Sequence, residues 1–376
     1  MNNTTKATLR MTALAAMVAM SGMMAGCTDD DDGGPGGSGG SGGGGGAGGS
    51  GDAVSFSGTN GPASAVSQAL SLSSFAAQAA AVAGSIAPAA PAAAAEAKAT
   101  DGPCTDGGSF TNRASSTGTN SNVPFEGASS TQFSLGGADF SNCVIAASSG
   151  SNGGITVDSK TLINGPITSG SASGLAFVSI GDSDSKTLDY IIDVKSSGTA
   201  GGQSFNATSK ATLSQFYRFD IKSITGGSEQ QLFSVFKFKA ESKGSSGGQT
   251  GSGGATGLVR YGKSLSDRFK FVSNAEGFSM NGSYFYDLTT CSGEVTVATE
   301  EPLTVSPSGL SAGRLKLTTG GQSVTVSYDN GSVIYNEGKA DQKVFTAQEA
   351  AQAASSNVCA GALGLTPAAA LAYLPR

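Results

Sequence analysis

Histidine and tryptophan are both absent from the 376 residues. Without an imidazole the chain has no Ser-His-Asp or Cys-His catalysis, no histidine-ligated metal and no c-type haem attachment, since each needs that ring. Without an indole it lacks the usual platform for stacking on sugars, leaving only Tyr and Phe. Charge is scarce as well, at 13% of residues, and its balance is acidic, net −6. That sign excludes a strongly basic nucleic-acid binder. What is plentiful is glycine, 57 residues, which points to a loop-rich β protein. One domain with long flanks fits this composition, and residues 104–360 are enough chain to bury a sizeable core.

The N-terminus has the layout of an export signal. Lys6 and Arg10 precede an apolar run, Met11 to Met20, too short to span a bilayer. The run leads to Met24-Ala25-Gly26-Cys27, which resembles the lipobox of bacterial lipoproteins. The resemblance implies cleavage after Gly26 and lipidation of Cys27, with Met24 standing where Leu is commonest. Loss of Lys6 and Arg10 then leaves 20 basic against 28 acidic residues. Thr28, Asp29 to Asp32 and a Gly/Ser tract to Gly51 cannot bury apolar surface and read as a tether, residues 27–51. Its Gly/Ser part reaches about 24 Å root-mean-square. Likeness to the sorting rule of enteric bacteria, in which Asp directly after the lipidated Cys retains a protein in the inner membrane, makes Thr28 imply the outer membrane. The side faced, periplasm or cell surface, stays open, and the aspartates fit either a surface-export signal or a solvated spacer.

Residues 52–99 read as an amphipathic helix and an Ala/Pro spacer. Val66, Leu70, Phe75, Ala79, Val82 and Ile86 recur at helical spacing, with Ser64 as the expected N-cap. Such a helix docks on the domain, pairs with a partner or lies on lipid, and the lack of Lys or Arg on its polar face argues against lipid. Pro88, Pro91 and the alanines to Ala99 form the spacer.

From about residue 100 to 345 the apolar period becomes two. Tyr217, Phe219 and Ile221 alternate with Arg218, Asp220 and Lys222; Phe236 and Phe238 with Lys237 and Lys239; Phe269 and Phe271 flank Lys270. These are half-buried antiparallel strands, about a dozen, in a sandwich, a barrel or a long curled meander. Asn330-Gly331 between alternating runs predicts a type I′ hairpin. Residues 346–376 are expected to be helical. Thr346 with Glu349 makes a capping box for a helix to about Ser355, and Thr366-Pro367 starts another to Leu374.

Four cysteines remain besides Cys27: Cys104, Cys143, Cys291 and Cys359. An even number in an exported chain favours two disulfides. Three pairings are possible; Cys143 and Cys291 end similar segments, and Cys104 and Cys359 bracket the β region, so the favoured pairs are Cys143 with Cys291 and Cys104 with Cys359, with free thiols or another pairing as the alternative. Each would contribute on the order of 4 kcal/mol in the chain-entropy model.

A strand with Phe140 to Cys143, then Asn164-Gly165-Pro166-Ile167, then Cys291-x-Gly293 with Val295 and Thr296, then Gly313-Arg314-Leu315 and a closing hairpin to Tyr335 form a recurring order. Over residues 131–337 it resembles a loose group of uncharacterised proteobacterial β-rich lipoproteins. The resemblance implies fold and address, with no activity attached.

Candidate chemistry is sparse. Gly244-Ser245-Ser246-Gly247-Gly248 matches G-x-S-x-G by composition alone, with no histidine to activate the serine. Gly251 to Gly257 resembles a phosphate loop only in glycine content. Histidine-free hydrolysis would need paired carboxylates, for which Glu294, Glu300 and Glu301 are the nearest cluster. Asp182, Asp184 and Asp189 offer alternating oxygens of the kind calcium takes. No cofactor is expected. Between Phe216 and Phe271 lie nine basic residues against four acidic, predicting a cationic face of Arg218, Lys222, Lys237, Lys239, Arg268 and Lys270. Such a face is the wet side of a sheet or a docking surface for an anionic polymer or an acidic envelope protein. The leading expectation is a non-enzymatic binding, adhesion or envelope-structural role through the β domain. A carboxylate-dependent hydrolase and a scaffold subunit are the alternatives.

Overall fold

The computed structural model describes residues 52–86 and 102–356, apart from 105, 153, 201–202, 247, 289–290 and 307–308. The signal segment, Cys27, the tether, the Ala/Pro spacer, Cys359 and the segment from Thr366 to Leu374 lie outside them. The chain is mainly β, with seventeen strands in one sheet. In order they are β1 (Asp52–Ala53), β2 (Gly102–Pro103), β3 (Ser109–Thr119), β4 (Gln132–Asn152), β5 (Ile155–Ala172), β6 (Leu175–Ile180), β7 (Leu188–Ala200), β8 (Gln203–Ile224) and β9 (Gly227–Ser246). Then come β10 (Gln249–Tyr261), β11 (Phe269–Asn274), β12 (Gly277–Leu288), β13 (Cys291–Ser306), β14 (Gly309–Thr319), β15 (Gln322–Asp329), β16 (Ser332–Tyr335) and β17 (Lys343–Phe345). Helix α1 (Gly61–Ile86) precedes β2 and α2 (Ala347–Ser356) follows β17.

The strands form one large antiparallel sheet in meander order: from β2 onward each strand lies antiparallel to its sequence neighbours, with two exceptions of one kind. Strands β6 and β7 lie end to end between β5 and β8, and β11 and β10 lie end to end between β9 and β12. The breaks are two loops of one design, Gly181-Asp182-Ser183-Asp184-Ser185 and Gly262-Lys263-Ser264-Leu265-Ser266. Each opens on a glycine at positive φ, +74° and +78°. Each joins its two serine hydroxyls, at 3.0 and 2.9 Å.

The concave side of the sheet wraps α1. Residues Ala65 to Ala69 are five in a row with no exposed surface, so this part of the helix is covered on every side rather than along one stripe. That is why polar Ser67, Gln68 and Ser73 sit in the core. Gln68 Nε2 donates to the Tyr286 hydroxyl and Gln68 Oε1 accepts from that of Tyr284, at 3.2 and 2.8 Å. The Ser73 and Tyr328 hydroxyls share a hydrogen bond of 3.2 Å. The helix thus docks inside the domain. It begins at Gly61, three residues before the predicted cap, because Pro62 suits a first turn and Asn60 already offers its carbonyl to the Ser64 amide. The capping box of α2 forms as expected, with the Thr346 amide donating to Glu349 Oε2 at 2.8 Å. Asn330 and Gly331 take φ of +45° and +91°, as a type I′ turn requires.

The expected cysteine pairing is overturned: Cys104 bonds to Cys143. The hairpin of β2 and β3 brings Cys104 back beside β4, where both cysteines pack with Ile163. A local closure therefore takes the place of the long-range staple. Cys291 is disulfide-bonded as well.

Candidate functional site

Strand length creates the candidate site. At 22 residues β8 is about 70 Å long, and β9 is close behind with 20. Only one end of these strands covers α1. The other ends of β4, β5, β7, β8, β9 and β10 continue as a six-stranded extension, ending in the hairpins at Asn152–Ile155, Ala200–Gln203 and Ser246–Gln249. None of the hydrophobic clusters among the described residues reaches its outer rows. Among the described residues it is a single layer.

What replaces a core there is cross-strand charge pairing on the convex side. The register places Lys160 opposite Asp193, Asp193 opposite Lys210 and Lys210 opposite Glu241. One step toward the tip, Asp158 faces Lys195, Lys195 faces Thr208 and Thr208 faces Lys243. Opposite charges in such pairs stabilise a sheet by roughly 0.2–1 kcal/mol each. Lys239 Nζ holds Glu241 Oε1 at 2.6 Å on the same strand, and this hydrogen bond, with further pull from Lys243 and Lys210, keeps the Glu241 carboxyl below its ordinary range. The two rows line a shallow trough of about 600 Å³. Four lysines and three carboxylates surround it. It can hold anionic groups between lysines, and it has no buried titrating pair of the kind acid–base catalysis uses.

The predicted cationic face is only partly real. Arg218 and Arg268 do point to the convex side, as alternation requires, but both are buried, 5% and 4% exposed. The β3–β4 loop straps across that side, with Val123, Phe125 and Ala128 packed on Phe133 and Phe177. Beneath it Arg218 Nε donates to Asp220 Oδ1 at 2.8 Å, and Arg268 Nη1 pairs with Asp220 Oδ2. Arg268 also donates to the carbonyls of Leu265 and Asn122, both at 2.6 Å. The Arg218 guanidinium lies 4.1 Å from the centre of the Phe177 ring. Burial pushes the Asp220 carboxyl up and both guanidiniums down, and their mutual attraction opposes each shift. This is a structural clasp. Lys222 is half-buried above the Phe125 ring, and Lys270 is exposed on β11 away from the extension. Lys237 and Lys239 are exposed where the body meets the trough. The trough residues Asp158, Lys160, Asp193, Lys195 and Lys210 lie outside the charge-rich window between Phe216 and Phe271. Their signal was charge at i and i+2, as in Asp158-Ser159-Lys160 and Asp193-Val194-Lys195.

Of the other candidate groups, Glu300 and Glu301 gather with Glu337 around Arg314, which pairs with the last two, and the rest stay apart. Glu294 and Glu300 are six residues apart on β13, about 20 Å along a strand, where paired glycosidase carboxylates need about 5–9.5 Å. Glu294 pairs with Lys263 at 3.1 Å, and Glu301 with Arg314 at 3.0 Å. Asp182 pairs with Lys186 at 2.6 Å, and Asp189 accepts from the Thr187 hydroxyl at 2.8 Å. Among the described residues no His/Cys/Asp/Glu group is placed to hold a metal ion, so Asp182 and Asp184 belong to a hydrogen-bonded loop. Comparison with family models, with curated proteins and with solved structures returns no match.

Proposed function

We propose that this chain is a lipid-anchored outer-membrane protein that works by binding, and that the charged trough of the extension receives an anionic polymer of the cell envelope. The lipobox-like Cys27 and the tether support the address. The observation that carries the binding role is the extension, which spends six long strand ends on surface and, among the described residues, encloses no core of its own. A sheet built this way displays residues; it does not shelter a reaction from water. The hydrolase alternative has less to support it, because Glu301 and Glu337, the carboxylates gathered nearest Glu300, are both held by Arg314.

Titration of the full chain with dextran sulfate, and separately with lipopolysaccharide, tests this. Binding should weaken steeply with added salt. Lys195→Glu with Lys243→Glu should reduce it on the order of tenfold or more, as expected when attractive charges on a binding face are reversed. Binding insensitive to salt and to both substitutions would contradict the proposal. The scaffold reading keeps one observation of its own: residues 146–152 of β4 and 250–255 of β10 pair on one side only among the described residues, leaving open strand edges.

A further inference from the structure

The α1-facing side of the sheet, followed out into the extension, is the opposite of the trough in chemistry. Its rows run across all six strands: Gly150, Val157, Ser196, Ala207, Gly244 and Gly251; then Ser148, Ser159, Val194, Ser209, Ser242 and Gly253. Next toward the body come Ala146, Thr161, Ile192, Ala211, Ala240 and Ala255. The tip row on the same side adds Ile155, Gly198, Phe205 and Ser246; no charged residue stands in these rows, and Phe205 is the one side chain larger than Ile. Val157 is 42% exposed and Ile155, at the tip, 36%. The same sheet side is covered by α1 within the body, and that cover does not reach these rows among the described residues.

We propose that this face is a self-association surface on which a second copy of the chain stacks, sheet against sheet, about a two-fold axis. Area supports this occupant. Six strands at about 4.8 Å and eight residues at about 3.3 Å give on the order of 700 Å², close to the roughly 800 Å² per partner of a standard stable interface. Shape supports it too, because Gly, Ala and Ser rows let two flat sheets approach until they interdigitate without water. An isologous pairing needs one self-complementary patch, which an uncharged face is. Stacking in this sense leaves both charged troughs facing outward, so the proposal is independent of what the trough binds.

Sedimentation velocity on the full chain over roughly a hundredfold concentration range tests it. The wild type should be a dimer. Ala207→Lys places a charge in the stacked face, and Asn206→Lys, one residue away, places the same charge on the outer face. The first should weaken association about a hundredfold or more and the second should leave it unchanged, because a charge buried without a partner is costly. Ser209→Cys, near the centre of the face, should be trapped as an intermolecular disulfide under mild oxidation, and Asn206→Cys should not. A wild-type monomer throughout the range overturns the proposal, whether or not the chain's own C-terminal segment covers the face. So does a dimer that survives Ala207→Lys or that is lost only with Gly253→Pro on the open edge of β10.

Discussion

Replacing Asp220 by Asn removes the one anion shared by two buried guanidiniums. Asp220 has no exposed surface, and its partners Arg218 and Arg268 are 5% and 4% exposed, so water cannot take over the lost interaction. Two charge-assisted hydrogen bonds are involved, one of 2.8 Å from Arg218 Nε and one from Arg268 Nη1. Each is worth roughly 1.5–3 kcal/mol. Asparagine keeps one acceptor oxygen but no charge, and breaking a buried pair from one side costs about 3–5 kcal/mol. That range is the expected loss. With no tryptophan in the chain, urea unfolding is followed by circular dichroism, and the loss is read from the midpoint at constant slope. In a double-mutant cycle Arg218→Met should cost less in the Asp220→Asn background than in the wild type, since the guanidinium is already uncompensated. A loss below about 1 kcal/mol would refute the clasp, because exposed pairs cost that little.

Three further outcomes follow from the packing. Burial pushes the hydroxyls of Tyr217, Tyr261, Tyr284, Tyr286, Tyr328 and Tyr335 upward. Each contributes stability present below the unfolded value, about 10, and lost as pH rises beyond it; ultraviolet titration should show these tyrosines ionising together with unfolding, and ionisation before unfolding would count against the buried row. Gly257→Val should destabilise by about 1–3 kcal/mol, since a Cβ there runs into the Phe238 ring and meets Leu288 at 2.8 Å; a thermal midpoint equal to wild type would contradict this. Glu349 is held below its ordinary range by the Thr346 amide and hydroxyl, so its contribution to α2 is present above the unfolded value and lost as pH falls through the folded one. Amide exchange in α2 should accelerate on acidification in the wild type and be already fast in Thr346→Ala; equal exchange in both would remove the capping box.

The parts legible in the sequence were those fixed by neighbours along the chain. The alternation around Tyr217 to Lys222 set both sheet sides correctly, and Asn330-Gly331 and Thr346 with Glu349 carried their local geometry in a few residues. What alternation could not show was a second covering layer. Arg218 points outward and is buried all the same, because a loop nearly a hundred residues earlier crosses above it. The cysteine pairing failed for a related reason: symmetric bracketing suggested long-range staples, while the β2–β3 hairpin brought Cys104 beside Cys143. The trough was invisible as a cluster because its residues come from four strands and meet only through register. The helix pattern in α1 suggested one apolar face, and enclosure on all sides is a property of the sheet around it.

Lysine footprinting tests the account most directly. The full chain is acetylated lightly with and without dextran sulfate, and the modified residues are mapped by mass spectrometry. Lys160, Lys195, Lys210 and Lys243 should be protected together by the polymer, with Lys270, Lys316 and Lys339 on the body modified equally in both samples. Protection spread evenly over all lysines, or confined to the body, would contradict a binding surface on the extension.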